Sequence, residues 1–127
     1  MSQKILLVDD AEETLFLMHQ VLEKEGYTIL EARDGAEALK KIETESPDLV
    51  LLDLILPRID GFAVALQLKK SALPRKPLVI ISTGHGRLRD LFLLREITHF
   101  SDYLEKPYTV KTLLEKVRNV LGEKHES

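Results

Sequence analysis

The stretch Leu49-Val50-Leu51-Leu52-Asp53 joins four consecutive aliphatic residues to an acidic residue at their end. An unbroken aliphatic run of this length is typical of a strand that is covered on both faces. A carboxylate directly after such a strand is either a turn residue or a group with a chemical role, because burying a charge costs free energy. The stretch therefore predicts the centre of a parallel sheet and marks Asp53 as a candidate functional residue.

Short apolar runs alternate with amphipathic stretches on both sides of this segment, which is typical of an α/β domain with a parallel sheet. The predicted strands are residues 5–8, 27–31, 49–52, 78–82 and 102–105. The predicted helices are residues 12–25, 36–45, 62–70, 88–97 and 110–121. Gly26 and Gly122 stand where helix C-caps are expected, and Asp34 and Thr109 where N-caps are expected.

The composition restricts the class of protein. A length of 127 residues with 44% hydrophobic and 31% charged residues suits one domain, predicted over residues 1–122, with a charged, disordered tail over 123–127. The net charge of −3 argues against direct binding of nucleic acid. The absence of cysteine excludes disulfides and thiolate zinc sites. No apolar run reaches the roughly 18 residues of a membrane span, and a cytoplasmic location is expected.

Chemically distinctive residues follow four of the predicted strands. Ligand sites of open α/β sheets lie outside the carboxyl ends of the strands. The residues at those ends are Asp9-Asp10, Asp53, Ser82-Thr83-Gly84 and Lys106-Pro107. Converging carboxylates repel one another and need a cation, and an all-oxygen ligand set suits Mg²⁺. The alternative, that Asp9 and Asp10 only cap the following helix, stays open at this point.

The same residue types suit phosphoryl transfer to a carboxylate. A carboxylate oxygen of Asp53 can attack phosphorus if a metal and a cation offset the charge of the phosphoryl oxygens. Lys106 can be that cation, and a hydroxyl from Thr83, or from its competitor Ser82, can donate to a phosphoryl oxygen. Gly84 beside Thr83 allows close approach of the backbone. A turn for Thr83 and a solvated surface role for Lys106 are the simpler alternatives.

Four motifs follow one another along the chain: Val8-Asp9-Asp10, Leu52-Asp53-Leu54-Ile55-Leu56-Pro57-Arg58-Ile59-Asp60-Gly61, Ser82-Thr83-Gly84-His85-Gly86 and Asp102-Tyr103-Leu104-Glu105-Lys106-Pro107. Together they resemble the receiver family of two-component response regulators, of the chemotaxis-receiver type. The resemblance spans nearly the whole chain and implies a flavodoxin-like, doubly wound (βα)5 fold with a five-stranded parallel sheet in the order 2-1-3-4-5.

The resemblance assigns a role to each candidate residue. It implies that Asp53 is the phosphoacceptor and that Lys106 and Thr83 bind the phosphoryl group. It implies a Mg²⁺ cofactor held by Asp10 directly, by Asp9 mainly through water, by Asp53 and by the backbone carbonyl of Ile55. It also implies that Tyr103 is a switch aromatic that turns inward as Thr83 moves; the alternative is a partly buried strand tyrosine.

The implied function is a phosphorylation switch, not the turnover of a metabolite. A sensor histidine kinase or phosphotransfer protein would supply the phosphoryl group, and the domain would only weakly assist its own phosphorylation and dephosphorylation. The fourth helix, fifth strand and fifth helix would then present an altered surface to a second copy or a downstream protein. The apolar residues of helix 88–97 fall almost all round it, which indicates either such a surface or imperfect patterning. Phe16 is expected to be exposed.

Some features depart from the family or leave another class open. Ala11 stands where an acidic residue is common, and His99-Phe100 where Gly-Ala is usual, so a different turn is expected before the fifth strand. Ile55 and His85 flank the site and influence the access of water to the phosphoryl group. The main alternative is a phosphohydrolase of the haloacid-dehalogenase type, but that class carries an Asp-x-Asp nucleophile motif after the first strand.

Overall fold

The computed structural model describes residues 2–56, 60–84, 88–97 and 100–122 of the chain. Strands and helices alternate through them. The strands are β1 Lys4–Val8, β2 Thr28–Ala32, β3 Leu49–Asp53, β4 Leu78–Thr83 and β5 Asp102–Glu105. The helices are α1 Glu12–Lys24, α2 Gly35–Glu45, α3 Gly61–Lys70, α4 Leu88–Ile97 and α5 Val110–Val120. His85, His99 and the predicted tail 123–127 lie outside the described residues.

The strands form one parallel sheet in the order β2-β1-β3-β4-β5, so the predicted flavodoxin-like topology is confirmed. Strand β3 pairs with β1 on one side and β4 on the other and is covered by a core on each face, which explains why its residues 49–52 are all aliphatic. The direction of the connections reverses between β1 and β3. The crevice beyond the carboxyl ends of these two strands is therefore where a site is expected.

A hydrophobic core lies on each face of the sheet, because alternate residues of each strand point to opposite faces. Leu6, Val8, Val50 and Leu52 belong to the core beneath α2, α3 and α4. On the opposite face, Ile5, Leu7, Leu49 and Leu51 pack with residues of α1 and α5. The helix residues of this second core are Leu15, Met18, Leu22, Leu113 and Val117.

Local signals account for most element ends. The Asp34 carboxylate accepts a hydrogen bond from the Glu37 N–H, and the Thr109 hydroxyl accepts one from the Thr112 N–H, as expected of N-caps. Gly26 has a φ of 98°, a left-handed conformation that suits glycine after a helix. Strand β2 starts one residue later than predicted because the Tyr27 N–H bonds the Leu22 carbonyl and completes the end of α1.

Several large apolar side chains remain exposed. Phe16 is 67% exposed, as predicted from the helical pattern of α1, and its neighbour Leu17 is 56% exposed. In α4, Phe92 is 73% and Leu93 57% exposed, whereas Leu91 and Leu94 are buried. The prediction that α4 cannot bury all of its apolar residues on one face is therefore confirmed.

Within the described part of the chain, no helix has the length and apolar character needed to cross a membrane.

Candidate functional site

Four strands, β1, β3, β4 and β5, bring the candidate residues to one edge of the sheet. In the ladder between β3 and β4, Asp53 is opposite Ser82. The Lys106 N–H donates to the Thr83 carbonyl at 2.7 Å, so the residue after β5 is held against the end of β4. On the other side, the Asp9 N–H donates to the Ala32 carbonyl at 3.1 Å. Backbone pairing therefore positions the side chains that the sequence separates by more than 90 residues.

The three aspartates lie together, as predicted. Asp9, Asp10 and Asp53 each offer a carboxylate oxygen, and these oxygens lie within 4.8 Å of one another. Asp9 and Asp53 are buried, whereas Asp10 is exposed. Neither residue of the Asp9-Asp10 pair is the N-cap of α1, because that position is Ala11, which makes no side-chain capping bond. A set of clustered carboxylate oxygens, open to solvent on one side, fits a hard cation such as Mg²⁺.

Lys106 joins two of these carboxylates. Its Nζ donates to Asp9 Oδ2 at 2.8 Å and to Asp53 Oδ2 at 3.2 Å. Burial would lower the pKa of the Lys106 ammonium, but the hydrogen bond to Asp9 and the charges of both aspartates outweigh it and raise that pKa. Lys106 therefore stays positively charged and partly compensates the acid cluster.

Burial and the neighbouring donors shift the pKa of the Asp53 carboxyl group in opposite directions. Burial raises the pKa of its carboxyl group, and the hydrogen bond from the Ile55 N–H and the charge of Lys106 oppose this only in part. The Ile55 N–H donates to Asp53 Oδ1 at 3.0 Å, while Lys106 contacts Oδ2. The ionised carboxylate is thus less stable here than in water, which is typical of a functional carboxylate.

Two hydroxyls are buried next to this group. Among the described residues, neither the Thr83 nor the Ser82 hydroxyl has a hydrogen-bond partner of good geometry. The Ser82 hydroxyl is nevertheless near enough to the Tyr108 phenol to lower its pKa, against a larger increase caused by burial. Thr83 is only 1% exposed, so its hydroxyl is a buried polar atom without a hydrogen-bond partner among the described residues.

Gly61, the first residue of α3, lies against the end of β3, a contact that the hydrophobic pattern of the sequence does not predict. Its N–H donates to the Leu54 carbonyl at 2.9 Å, which folds the chain back against the end of β3. A Cβ atom at position 61 would lie 2.3 Å from the Asp53 carbonyl oxygen and 2.5 Å from Leu54 Cα. The sequence signal for this contact is the Asp60-Gly61 pair. Asp60 is the N-cap of α3, and a glycine at the first helical position suggests that the position has no room for a Cβ atom.

Gly61→Ala is expected to lower the free energy of unfolding by about 1–3 kcal/mol, because the methyl group meets backbone atoms that cannot rotate away. Urea denaturation measures the change. Helix propensity alone gives the opposite sign, since alanine favours a helix over glycine. A variant as stable as the parent, or more stable, would show that α3 moves away from Asp53 without cost.

The chain is similar to known proteins over nearly its whole length. A family model described as the response regulator receiver domain matches residues 5–118. The chain is 40% identical over 121 residues to the alkaline phosphatase synthesis transcriptional regulatory protein PhoP of Bacillus subtilis, covering 95% of this chain and 49% of PhoP. It is 35% identical over 124 residues to sporulation initiation phosphotransferase F of Bacillus subtilis, covering 95% of each. The chain thus spans about half the length of PhoP.

A solved structure supports the acidic pocket. The receiver domain of the sensor histidine kinase PA1611 from Pseudomonas aeruginosa, with a magnesium ion coordinated in its active-site cleft, is 25% identical and superimposes with a TM-score of 0.85. The match covers 96% of this chain and 99% of that one. The chain belongs to the response regulator receiver domain family. Receiver domains of response regulators are signalling phosphoacceptors that bind Mg²⁺ at an acidic pocket.

Proposed function

We propose that this chain accepts a phosphoryl group on Asp53 from a histidine kinase or a phosphotransfer protein in a Mg²⁺-dependent reaction, and that residues 1–122 are the domain that does so. The observation that carries the proposal is the buried Asp53 carboxylate held within a cluster of two further aspartates and Lys106. The proposal includes the cytoplasmic location expected from the sequence.

The reaction requires one bond to form and one to break. An Asp53 carboxylate oxygen attacks the phosphorus of a phosphohistidine, and the P–N bond breaks with its electron pair leaving on the imidazole. Lys106 holds its ammonium close to the attacking Asp53 carboxylate, where it offsets negative charge on the phosphoryl oxygens. The Thr83 hydroxyl, which has no partner among the described residues, is available to donate to one of those oxygens.

The metal site in this proposal consists of Asp10, Asp9, Asp53 and the Ile55 carbonyl. Mg²⁺, when bound, supplies positive charge that offsets the charge of the transferred group. The clustered carboxylate oxygens support the three aspartate ligands, and the family resemblance implies the Ile55 carbonyl. The same groups would support the weak self-phosphorylation and dephosphorylation expected of the domain, since both involve the Asp53 phosphoryl bond.

Incubation with acetyl phosphate and Mg²⁺, followed by intact-mass measurement, tests the proposal. We expect one phosphoryl group per chain, and peptide mapping should locate it on Asp53. Omission of Mg²⁺ should reduce labelling to background. Labelling of a different residue, or no labelling by either acetyl phosphate or a phosphorylated histidine donor, would contradict the assignment.

Mg²⁺ is expected to raise the melting temperature, because a ligand that binds only the folded chain stabilises it. Asp10→Asn should remove most of this rise, because it removes one of the proposed metal ligands. Stability without metal should be unchanged or higher, since one repelling charge is lost. Glu13→Gln is a matched control: it removes one exposed negative charge three residues away, and its response to Mg²⁺ should equal that of the parent. An undiminished response in Asp10→Asn would exclude Asp10 as a ligand.

The output surface in this proposal is formed by α4, β5 and α5. Phe92, Leu93 and Tyr103 are exposed there. Leu91, Phe92, Arg95, Phe100 and Tyr103 line a depression of about 290 Å³. The Arg95 guanidinium lies 4.9 Å from the centre of the Phe100 ring, so a cation borders the apolar groups. Such a surface suits self-association or binding of a downstream protein.

Phosphorylation is expected to shift this surface between two discrete arrangements, because packed interiors resist intermediate ones. Hydrogen exchange with and without beryllofluoride, a stable phosphoryl mimic, should show altered protection within residues 88–121. Size-exclusion chromatography of the same samples tests for a dimer. Changes confined to the loops around Asp10 and Asp53 would show that the domain binds the mimic without switching the surface.

A further inference from the structure

Lys116 of α5 contacts three groups of β5 at once. Its Nζ lies 3.1 Å from Asp102 Oδ1 and 4.5 Å from the centre of the Tyr103 ring, and it donates a hydrogen bond to the Tyr103 carbonyl. The Asp102 carboxylate also accepts from the Tyr103 N–H at 2.8 Å. The Lys116 side chain is only 27% exposed, so the ammonium is partly desolvated where it meets the ring.

We infer that Lys116 is a positioning residue that holds the Tyr103 ring in its outward orientation and thereby sets how readily the domain switches. Tyr103 is 36% exposed, so its ring lies at the surface with the ammonium over its face. The inference rests on the proposed function and on the switch role that the family resemblance implies for Tyr103, whose ring would turn inward as Thr83 moves toward the phosphoryl group. It adds a residue that opposes that movement.

The contacts of Lys116 differ in how they depend on the ring. The bond to Asp102 and the bond to the Tyr103 carbonyl involve groups that stay in place when a side chain rotates. The cation–π contact exists only while the ring lies beneath the ammonium. A group can shift an equilibrium only through a contact that differs between the two states, and here that contact is the one with the ring.

The cation–π contact limits the size of the effect. Contacts of this kind near a surface change an equilibrium by about two- to fivefold. Since ligand binding and the conformational change are reciprocal, loss of the contact should improve the affinity for a ligand that favours the inward ring by the same factor. Lys116 is therefore expected to oppose activation modestly.

Lys116→Met tests the inference, because methionine keeps an unbranched apolar side chain but has no charge. The chain is labelled with fluorotyrosine, and Tyr103→Phe identifies the Tyr103 signal among the three tyrosines. Each protein is titrated with beryllofluoride in the presence of Mg²⁺. We expect Lys116→Met to reach half-saturation of the Tyr103 change at a concentration two- to fivefold lower than the parent.

Two control variants distinguish a positioning role of Lys116 from a general effect of a substitution in α5. Lys116→Arg keeps a cation that can stack on the ring, and it should retain the half-saturation of the parent. Lys111→Met makes the same substitution at an exposed position of α5 and should also behave like the parent. Equal half-saturation in Lys116→Met and the parent overturns the inference, as does an equal decrease in Lys111→Met.

The result also distinguishes failure of the inference from failure of the proposed function. If the parent is phosphorylated on Asp53 and its Tyr103 signal responds to beryllofluoride, but Lys116→Met changes nothing, only the role of Lys116 is wrong. If Asp53 is labelled but the Tyr103 signal of the parent never responds, the switch role of Tyr103 and the role of Lys116 both fail. If Asp53 is not labelled, the proposed function itself fails.

Discussion

Asp53→Asn is expected to reduce labelling by acetyl phosphate to background while raising the free energy of unfolding in magnesium-free buffer. Labelling disappears because an amide oxygen does not supply the carboxylate nucleophile. Stability rises because the neutral amide avoids the cost of burying an ionised carboxylate. Ile55 donates to Oδ1 and Lys106 to Oδ2 of Asp53, so the single amide oxygen keeps only one of these two hydrogen bonds, which reduces the gain. Loss of activity together with a gain in stability is typical of a functional group that the fold does not favour.

The gain in stability should depend on pH. Burial raises the pKa of Asp53 above its ordinary value of 3.8, so the folded chain keeps this proton to a higher pH than the unfolded chain does. The stability of the parent relative to Asp53→Asn therefore falls as the pH rises from 3.8 through the pKa of the folded state. The difference between the two proteins should be largest at neutral pH and should shrink as the pH is lowered.

Asp48→Asn is the matched control, because Asp48 directly precedes β3 at its other end. The Asp48 carboxylate accepts from the Lys4 N–H at 2.7 Å and pairs with Arg75, far from the acid cluster. This variant should be labelled like the parent. Intact mass and urea denaturation between pH 4.5 and pH 7 provide the two measurements. Undiminished labelling of Asp53→Asn would show that Asp53 is not the phosphoacceptor.

Lys106→Met is expected to slow phosphorylation by about 100- to 1,000-fold, because it removes a fixed hydrogen-bond donor that stabilises negative charge on the phosphoryl oxygens. In magnesium-free buffer it should also lower the free energy of unfolding by about 1–3 kcal/mol. The loss is placed below that of a fully buried ion pair because the Lys106 side chain is 29% exposed. Asp9 and Asp53 would then be left without their shared cation.

A second substitution separates the two effects of Lys106→Met. Adding Asp9→Asn neutralises one of the two uncompensated carboxylates, so stability without metal should largely recover while the rate of phosphorylation stays low. Stopped-flow labelling measures the rate of phosphorylation, and urea denaturation measures the free energy of unfolding. Lys111→Met, which removes an exposed lysine of α5, is the control for the loss of a lysine side chain. A Lys106→Met protein that reacts as fast as the parent would show that Lys106 acts only on stability.

The fold could be predicted largely from the sequence because its signals are local. The aliphatic run before Asp53 identifies a strand covered on both faces, and Asp34 and Thr109 mark helix starts through their own hydrogen bonds. Parallel strands also bring their carboxyl ends to one edge, so the meeting of Asp9, Asp10 and Asp53 follows from the order of the elements. Each of these inferences needs only neighbouring residues or the direction of the chain.

Other features depend on contacts between residues that are distant in the sequence. Pattern alone does not show that the Lys106 ammonium lies between Asp9 and Asp53, since an isolated lysine is usually solvated. The start of β2 was predicted one residue too early: the Tyr27 N–H bonds the Leu22 carbonyl at the end of α1, and pairing with β1 starts only at Thr28. Backbone geometry also decides that position 61 has no room for a Cβ atom.

By itself, then, the sequence determined the order of strands and helices, the edge of the sheet that carries the chemistry and the residue types available there. Only the tertiary structure decided which charges pair, which cation lies over Tyr103, and that neither the Ser82 nor the Thr83 hydroxyl has a hydrogen-bond partner of good geometry among the described residues. The physical reason is range. Hydrophobic periodicity and capping act within a few residues along the chain, whereas charge pairing and steric exclusion depend on distances of a few ångströms that the packed elements set.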